Sequence, residues 1–176
     1  MYLRSLDGCR LAIGSYPQFR YNAKGGGGNS TIISSNNDNF IYLKFIPDFF
    51  SIPALTYRTT KFLSLPLPPG LKIETRMQKL EGTIDLNSGE VLLDFESKFL
   101  FSICSIIKFP ELHVATKLET GHVKSALFTE RGFRRKKDGL VKLVGIAIIP
   151  VTNNKALNFF LGLPNEALAV LKCEIK

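Results

Sequence analysis

Five cations fall within seven residues of one stretch of this chain: Arg131, Arg134, Arg135, Lys136 and Lys137, separated by Gly132 and the aromatic Phe133. Charge at that density attracts phosphates, whether of nucleic acid or of an anionic lipid head group, without itself selecting among them. The same run also suits a solubilising hairpin tip that protects a sheet edge. The stacking aromatics that single-stranded RNA binding requires extend only to Phe133 and to Tyr16, Phe19 and Tyr21 around Arg20.

Other reactive side chains are sparser. The two histidines, His113 and His122, lie near Glu111 and Glu119; Glu111 and His113 share a strand face at i, i+2 and would begin a metal site, but the sequence shows no complete set of three or four ligands. Asp94 and Glu96 share a face as the paired carboxylates of a glycosidase do, with Lys98 beside them in the manner of an ordinary outer surface. Gly25, Gly26, Gly27 and Gly28 match a phosphate loop in glycine content alone, since no Gly-Lys-Ser/Thr follows. No Ser or Cys has a nucleophile's setting. Cys9, Cys104 and Cys173 are odd in number and widely spaced, which implies free thiols in a reducing compartment rather than disulfides or zinc. Neither catalysis nor a metal or other cofactor is expected.

The elements that must position these groups read as strands. In 90–98, Val91, Leu93 and Phe95 point one way while Asp94, Glu96 and Lys98 point the other, because successive side chains leave a strand on opposite faces. Leu71, Ile73 and Met77 interleave with Lys72, Glu74, Arg76 and Gln78, and Leu112, Val114 and Leu118 with His113, Lys117 and Glu119. Asn87-Ser88-Gly89 has the chemistry of a short hairpin loop. A second turn, Lys137-Asp138-Gly139, should join 126–133 to 140–149, which is apolar on both parities apart from Lys142 and therefore covered on both faces. Strand character also appears at 10–13 and 40–45. Between these, the glycine run and the polar tract to Asn39 read as a long flexible or ligand-facing loop. The five prolines of 47–70 predict an edge strand with irregular flanks. Asn153 or Asn154 should cap a short helix over 156–161 that ends at Gly162 and Pro164, its Phe159 and Phe160 plugging the sheet. Alternation resumes at 167–175 in a terminal strand suited to closing beside an early one.

A chain of 176 residues buries roughly 70% of its unfolded surface, enough for a core without staples. With 14 Phe and no Trp, phenylalanine carries much of that core. The net charge is +8 and the pI about 9.5. No apolar run reaches the ~18 residues of a spanning helix, and the N-terminus lacks a secretory apolar region. The fold expected is all-β: one domain over 1–176, an antiparallel barrel or strongly curved sheet with one short C-terminal helix. Around eight strands, such a shell either fills with side chains or holds one small apolar ligand. Phe45, Phe95, Phe99 and Phe101, with Phe159 and Phe160, are the residues expected to line or fill it.

A resemblance adds to this reading. Leu80-Glu81-Gly82-Thr83-Ile84-Asp85, Glu90-Val91-Leu92-Leu93, Phe109-Pro110-Glu111-Leu112 and Lys142-Leu143-Val144-Gly145-Ile146-Ala147-Ile148 follow in an order that resembles the YceI-like, lipocalin-type barrels, which bind polyisoprenoid lipids. Leu11-Ala12-Ile13-Gly14-Ser15-Tyr16-Pro17 with Phe19-Arg20-Tyr21 is similar to uncharacterised proteins of cyanobacteria and plastid-bearing organisms. The resemblance implies a lipocalin- or calycin-like shell in a photosynthetic cell, and the chain departs from it in the missing export signal and the Pro-rich 47–70 insert. The function expected is non-catalytic binding of a lipid or other apolar small molecule, with the basic hairpin docking on an anionic membrane surface. The alternatives are a protein-interaction module on a ligand-free barrel, or nucleic-acid binding through 131–137. The expected location is the cytoplasm or plastid stroma.

Overall fold

The computed structural model describes residues 1–34 and 39–176. The first half of the chain forms β1 (Tyr2–Ser5), β2 (Cys9–Ile13), β3 (Phe19–Tyr21), β4 (Gly27–Ser34), β5 (Phe40–Phe45), β6 (Thr60–Phe62), β7 (Leu65–Pro66) and β8 (Leu71–Asp85). It continues through β9 (Val91–Ile103), β10 (Ile107–Lys108), β11 (Leu112–Glu119), β12 (His122–Lys124), β13 (Thr129–Arg131), β14 (Leu140–Ile149), α1 (Lys155–Leu161) and β15 (Asn165–Ile175). All strands but β12 and β13 belong to one strongly curved antiparallel sheet. Within it β1, β4, β5, β8, β9, β11, β14 and β15 close on themselves, because β1 pairs with both β4 and β15. The all-β expectation holds, with one short α-helix among the described residues.

Strand length explains the topology. The C-terminal half of β15 pairs with β1 and its N-terminal half with β2, so the terminal strand does close beside early ones, and β2, β3, β6 and β7 branch from the ring. The expected edge character of 47–70 survives in β6 and β7, which end that branch, whereas Ser51 and Leu55 make single bridges to Gly27 and Ile73. In β8 the register slips between Met77 and Lys79. The extra residue moves the inward side from Met77 to Leu80 and bends the strand, as a bulge does.

Two turns mark one end of the ring. Asp85 accepts from the Asn87 and Ser88 amides at 2.8 and 3.2 Å, fixing the β8–β9 hairpin as the sequence predicts. The Arg135 amide donates to the Gly89 carbonyl at 2.7 Å, which brings the Lys137-Asp138-Gly139 turn against it. The opposite end collects the β2–β3, β6–β7 and β9–β10 reversals together with α1, which lies between the end of β14 and the start of β15.

The interior near the turn end is filled. Leu3, Leu43, Phe45, Ile84, Leu93, Leu143 and Ile175 are each at most 1% exposed and pack as one cluster. Full burial of side chains of this size is worth roughly 1.5–3 kcal/mol apiece. Outside the ring, β12 and β13 form a two-stranded flap over Ala12, Val144, Leu168 and Val170, with Val123 and Phe128 as its packing residues. The middle of β14 is thus covered on both faces, as a run apolar on both parities apart from Lys142 implied, whereas Leu140 and Ile148 are 38% and 66% exposed.

Three expectations are corrected. The glycine run does not open a loop: β4 starts at Gly27, because the chain is pinned between β1 and residue 51, and the tract at 35–38 lies outside the described residues. Residues 126–133 do not form the partner of β14. β13 pairs with β12, and the backbone of the segment meets β14 among the described residues in a single bridge, Phe133 to Lys142. The helix is capped by Asn154, whose side chain accepts from the Leu157 amide, and ends at a left-handed Gly162 as expected, yet it turns the other way. Leu157 and Leu161 are buried while Phe159 and Phe160 are 91% and 63% exposed.

Candidate functional site at the apolar end

The inner face of β9 runs from a closed region to an open one. Val91 and Leu93 belong to the filled cluster, and Phe95 packs half-buried against it. Ser97 follows, 2% exposed, its hydroxyl without a hydrogen-bond partner among the described residues. Then come Phe99 and Phe101, each shared between two further clusters and each only half-buried. One of those clusters centres on Tyr21, Leu55 and Ile73, with Phe19 and Phe62 packed against it. The other centres on Ile149, Leu157 and Leu161, with Phe109 and Leu163 against it. The Phe19 and Phe62 rings lie 4.7 Å apart, a separation typical of paired aromatics.

This end, the mouth, is therefore aromatic and incompletely covered. Sequence reading found Phe99 and Phe101 by parity. It missed Phe19 of β3, Phe62 of β6 and Phe109 of the β10–β11 connection, which share no period. Of the remaining proposed liners, Phe45 fills the closed core, its ring edge-on to Phe50 at 5.5 Å, and Phe159 and Phe160 face outward.

The rim's acids are engaged. Lys98 meets Glu111 at 2.6 Å, and Lys72 and Arg76 flank Glu74. The Lys98 hydrogen bond holds the Glu111 carboxyl below its ordinary value, and the Lys72 bond does the same for Glu74. Among the described residues no three His, Cys, Asp or Glu side chains gather as metal ligands, so Glu111 and His113 stay a pair on an outer face. Cys9 and Cys173 are buried, which raises both thiols, and Cys104 is exposed at the β9–β10 turn.

The basic cluster is divided by the fold. Arg135 is half-buried and its Nε donates to the Ile175 carbonyl at 2.8 Å, so it ties the terminal strand rather than facing a ligand. Arg134 lies 3.7 Å from Glu90. Arg131, Lys136 and Lys137 remain exposed, with no carboxylate in ion-pair reach among the described residues. This hairpin sits at the turn end, opposite the aromatic mouth.

Two glutamates, neither singled out by sequence, clamp the flap. Glu130 lies 2.5 Å from Arg10 and 2.7 Å from Lys142. Glu166 accepts from the Ser125 hydroxyl at 2.6 Å and from the Leu127 amide at 3.0 Å. Burial pushes the Glu130 carboxyl up, but the Lys142 hydrogen bond, the Arg131 amide and Arg10 outweigh it and leave it lowered. The Ser125 hydrogen bond, with the Leu127 and Ala126 amides, lowers Glu166. A carboxylate depressed in the folded state stabilises above its unfolded value and loses that contribution as pH falls through its folded one. Protection of the β12 and β13 amides, taken relative to the intrinsic exchange rate at each pH, should accordingly be high at neutral pH and fall below about pH 4, the ordinary glutamate range. Protection that falls on alkalinisation and not on acidification would refute the clamp.

Open clefts of about 450 and 510 Å³ lie elsewhere. The first runs between the 47–54 segment and the β8 edge at 74–78, and the second borders His122 and Arg131 on the flap. No helix among the described residues is long and apolar enough to cross a membrane. Comparison with protein-family models, with curated proteins and with solved structures finds no match.

Proposed function

We propose that the protein is a non-catalytic binder of an amphipathic small molecule, whose acyl or isoprenoid portion lies between Phe99 and Phe101 at the aromatic mouth. One observation carries this reading. Phe99 and Phe101 continue the inner face of β9 yet stay half-buried, whereas Val91, Leu93 and Ser97 further up the same face are buried. Ligand sites are usually apolar concavities with a few polar groups. The Ser97 hydroxyl, next along the face and unpartnered among the described residues, supplies one for a ligand that reaches it.

Titration with a fluorescent fatty-acid analogue tests this, aided by the absence of tryptophan, while native mass spectrometry of fresh protein reports any co-purified lipid. Replacing both Phe99 and Phe101 by Ala should weaken probe binding ~10- to 100-fold, since each removes a large apolar contact. Phe99→Leu with Phe101→Leu keeps most of the packing and should weaken it by less. Absence of probe binding by the wild type, or equal affinity in the double-alanine variant, would sink the reading.

A further inference from the structure

The end that carries the mouth also carries apolar side chains that no packing requirement explains. Leu63 and Leu65 flank the β6–β7 reversal at 65% and 68% exposure, and Ile106 and Ile107 the β9–β10 reversal at 84% and 54%. Phe159 and Phe160 add the outer face of α1. The Tyr16 hydroxyl donates to the Phe160 carbonyl, so the β2–β3 turn holds the helix in that orientation. Soluble surfaces carry scattered leucines, but large apolar groups at the tips of separate reversals on one end are a different pattern.

The backbone at two tips supports this. Leu63 and Ser64 have φ of 50° and 67°, and Cys104 and Ser105 have 50° and 60°. Turns with both central residues left-handed ordinarily use Asn-Gly, because a side chain there is strained. Leu63 bears that strain here while staying 65% exposed.

Charge then selects the occupant. Lys61, Lys108 and Lys155 are exposed near these tips on β6, β10 and the start of α1, with no carboxylate in ion-pair reach among the described residues. The acids at this end are committed: Glu74 to Lys72, Glu111 to Lys98, and Glu166 to Ser125 and backbone amides. A second copy would set lysines against lysines in a chain of net charge +8. An anionic bilayer satisfies both features, taking apolar tips into the head-group boundary and lysines onto phosphates.

We propose that this end docks on an anionic lipid surface, with Leu63, Leu65, Ile106, Ile107, Phe159 and Phe160 as its anchors. The basic hairpin at the opposite end then points away from the bilayer. The proposal stands on exposure and charge, and does not require that the mouth hold a ligand.

Flotation with phosphatidylcholine vesicles, with and without phosphatidylglycerol, decides it. Wild-type protein should float with the anionic vesicles and be released by salt. Ile106→Ser, Phe159→Ser and Phe160→Ser together, all exposed and hence compatible with folding, should lower partitioning more than ~10-fold. Lys61→Glu, Lys108→Glu and Lys155→Glu should each lower it at least ~5-fold, following the attraction per cation at an anionic surface. Arg131→Glu, Lys136→Glu and Lys137→Glu should leave it within about twofold, lying at the end away from the membrane. No flotation by the wild type would overturn the proposal, as would loss through the hairpin variants alone. So would a dimer in solution that the serine variant converts to monomer, because the occupant would then be a second copy. Fatty-acid titration of the same serine variant reports the mouth separately, so failure of docking and failure of ligand binding are distinguishable.

Discussion

Gly27→Ala is expected to destabilise the fold by at least about 3 kcal/mol, because two independent conflicts meet at that position. Gly27 adopts φ of +133°, a conformation L side chains rarely take, and an added Cβ would lie inside the Leu3 carbonyl of β1. The residue is also enclosed on its other side, exchanging hydrogen bonds of 2.8 and 2.9 Å with Ser51. Neither neighbour is a flexible side-chain tip, so the strands themselves must part, and the seam they share is the one that closes the ring. Gly25→Ala is the matched control: φ is +90°, but its Cβ would meet open space. Strain alone should cost roughly 1 kcal/mol there. Urea unfolding of both variants, with amide exchange at Leu3 and Arg4, reads the difference, and equal costs at the two glycines would refute the seam.

Phe45→Ala carries the second large effect. The ring is 1% exposed, lies within the cluster that fills the turn end and stands edge-on to Phe50. Truncation should cost about 3–5 kcal/mol, from lost transfer energy and the cavity left behind. Phe159→Ala should change stability by less than about 0.5 kcal/mol, since its side chain is 91% exposed. Measured where Phe45→Ala is still folded, its affinity for the fatty-acid probe should match the wild type. A wild-type unfolding midpoint for Phe45→Ala would mean that the interior is not close-packed at Phe45. A large loss of probe affinity would move the ligand site from the mouth into the ring.

The two variants mark how far the chain could be read in advance. Phe45 was identifiable as inward-facing because a strand has a period of two and Phe40–Phe45 is a regular one. The β8–β9 hairpin was legible for the same reason, with Asn87-Ser88-Gly89 supplying the turn. Gly27 was not. Four successive glycines have the composition of a loop, and their extended form comes from β1 and residue 51, neither of which is near in sequence. α1 shows a different limit. Of its seven residues only Lys155 and Asn158 are polar, so periodicity does not choose a face, and the contact of Leu157 and Leu161 with Ile149 decides it. The basic run was visible as charge, but that Arg135 serves the Ile175 carbonyl follows from the path of β15.

Strand alternation, the two glycine turns, a helix starting at Asn153 or Asn154 and a surplus of positive charge were legible in the sequence, since each depends on residues close together in the chain. The fold alone shows that the core is closed at one end and aromatic at the other, that two glutamates clamp a flap, and that the exposed apolar tips share an end with exposed lysines. Those features join reversals and side chains from distant segments, and antiparallel registry, which no local pattern encodes, brings them to one place.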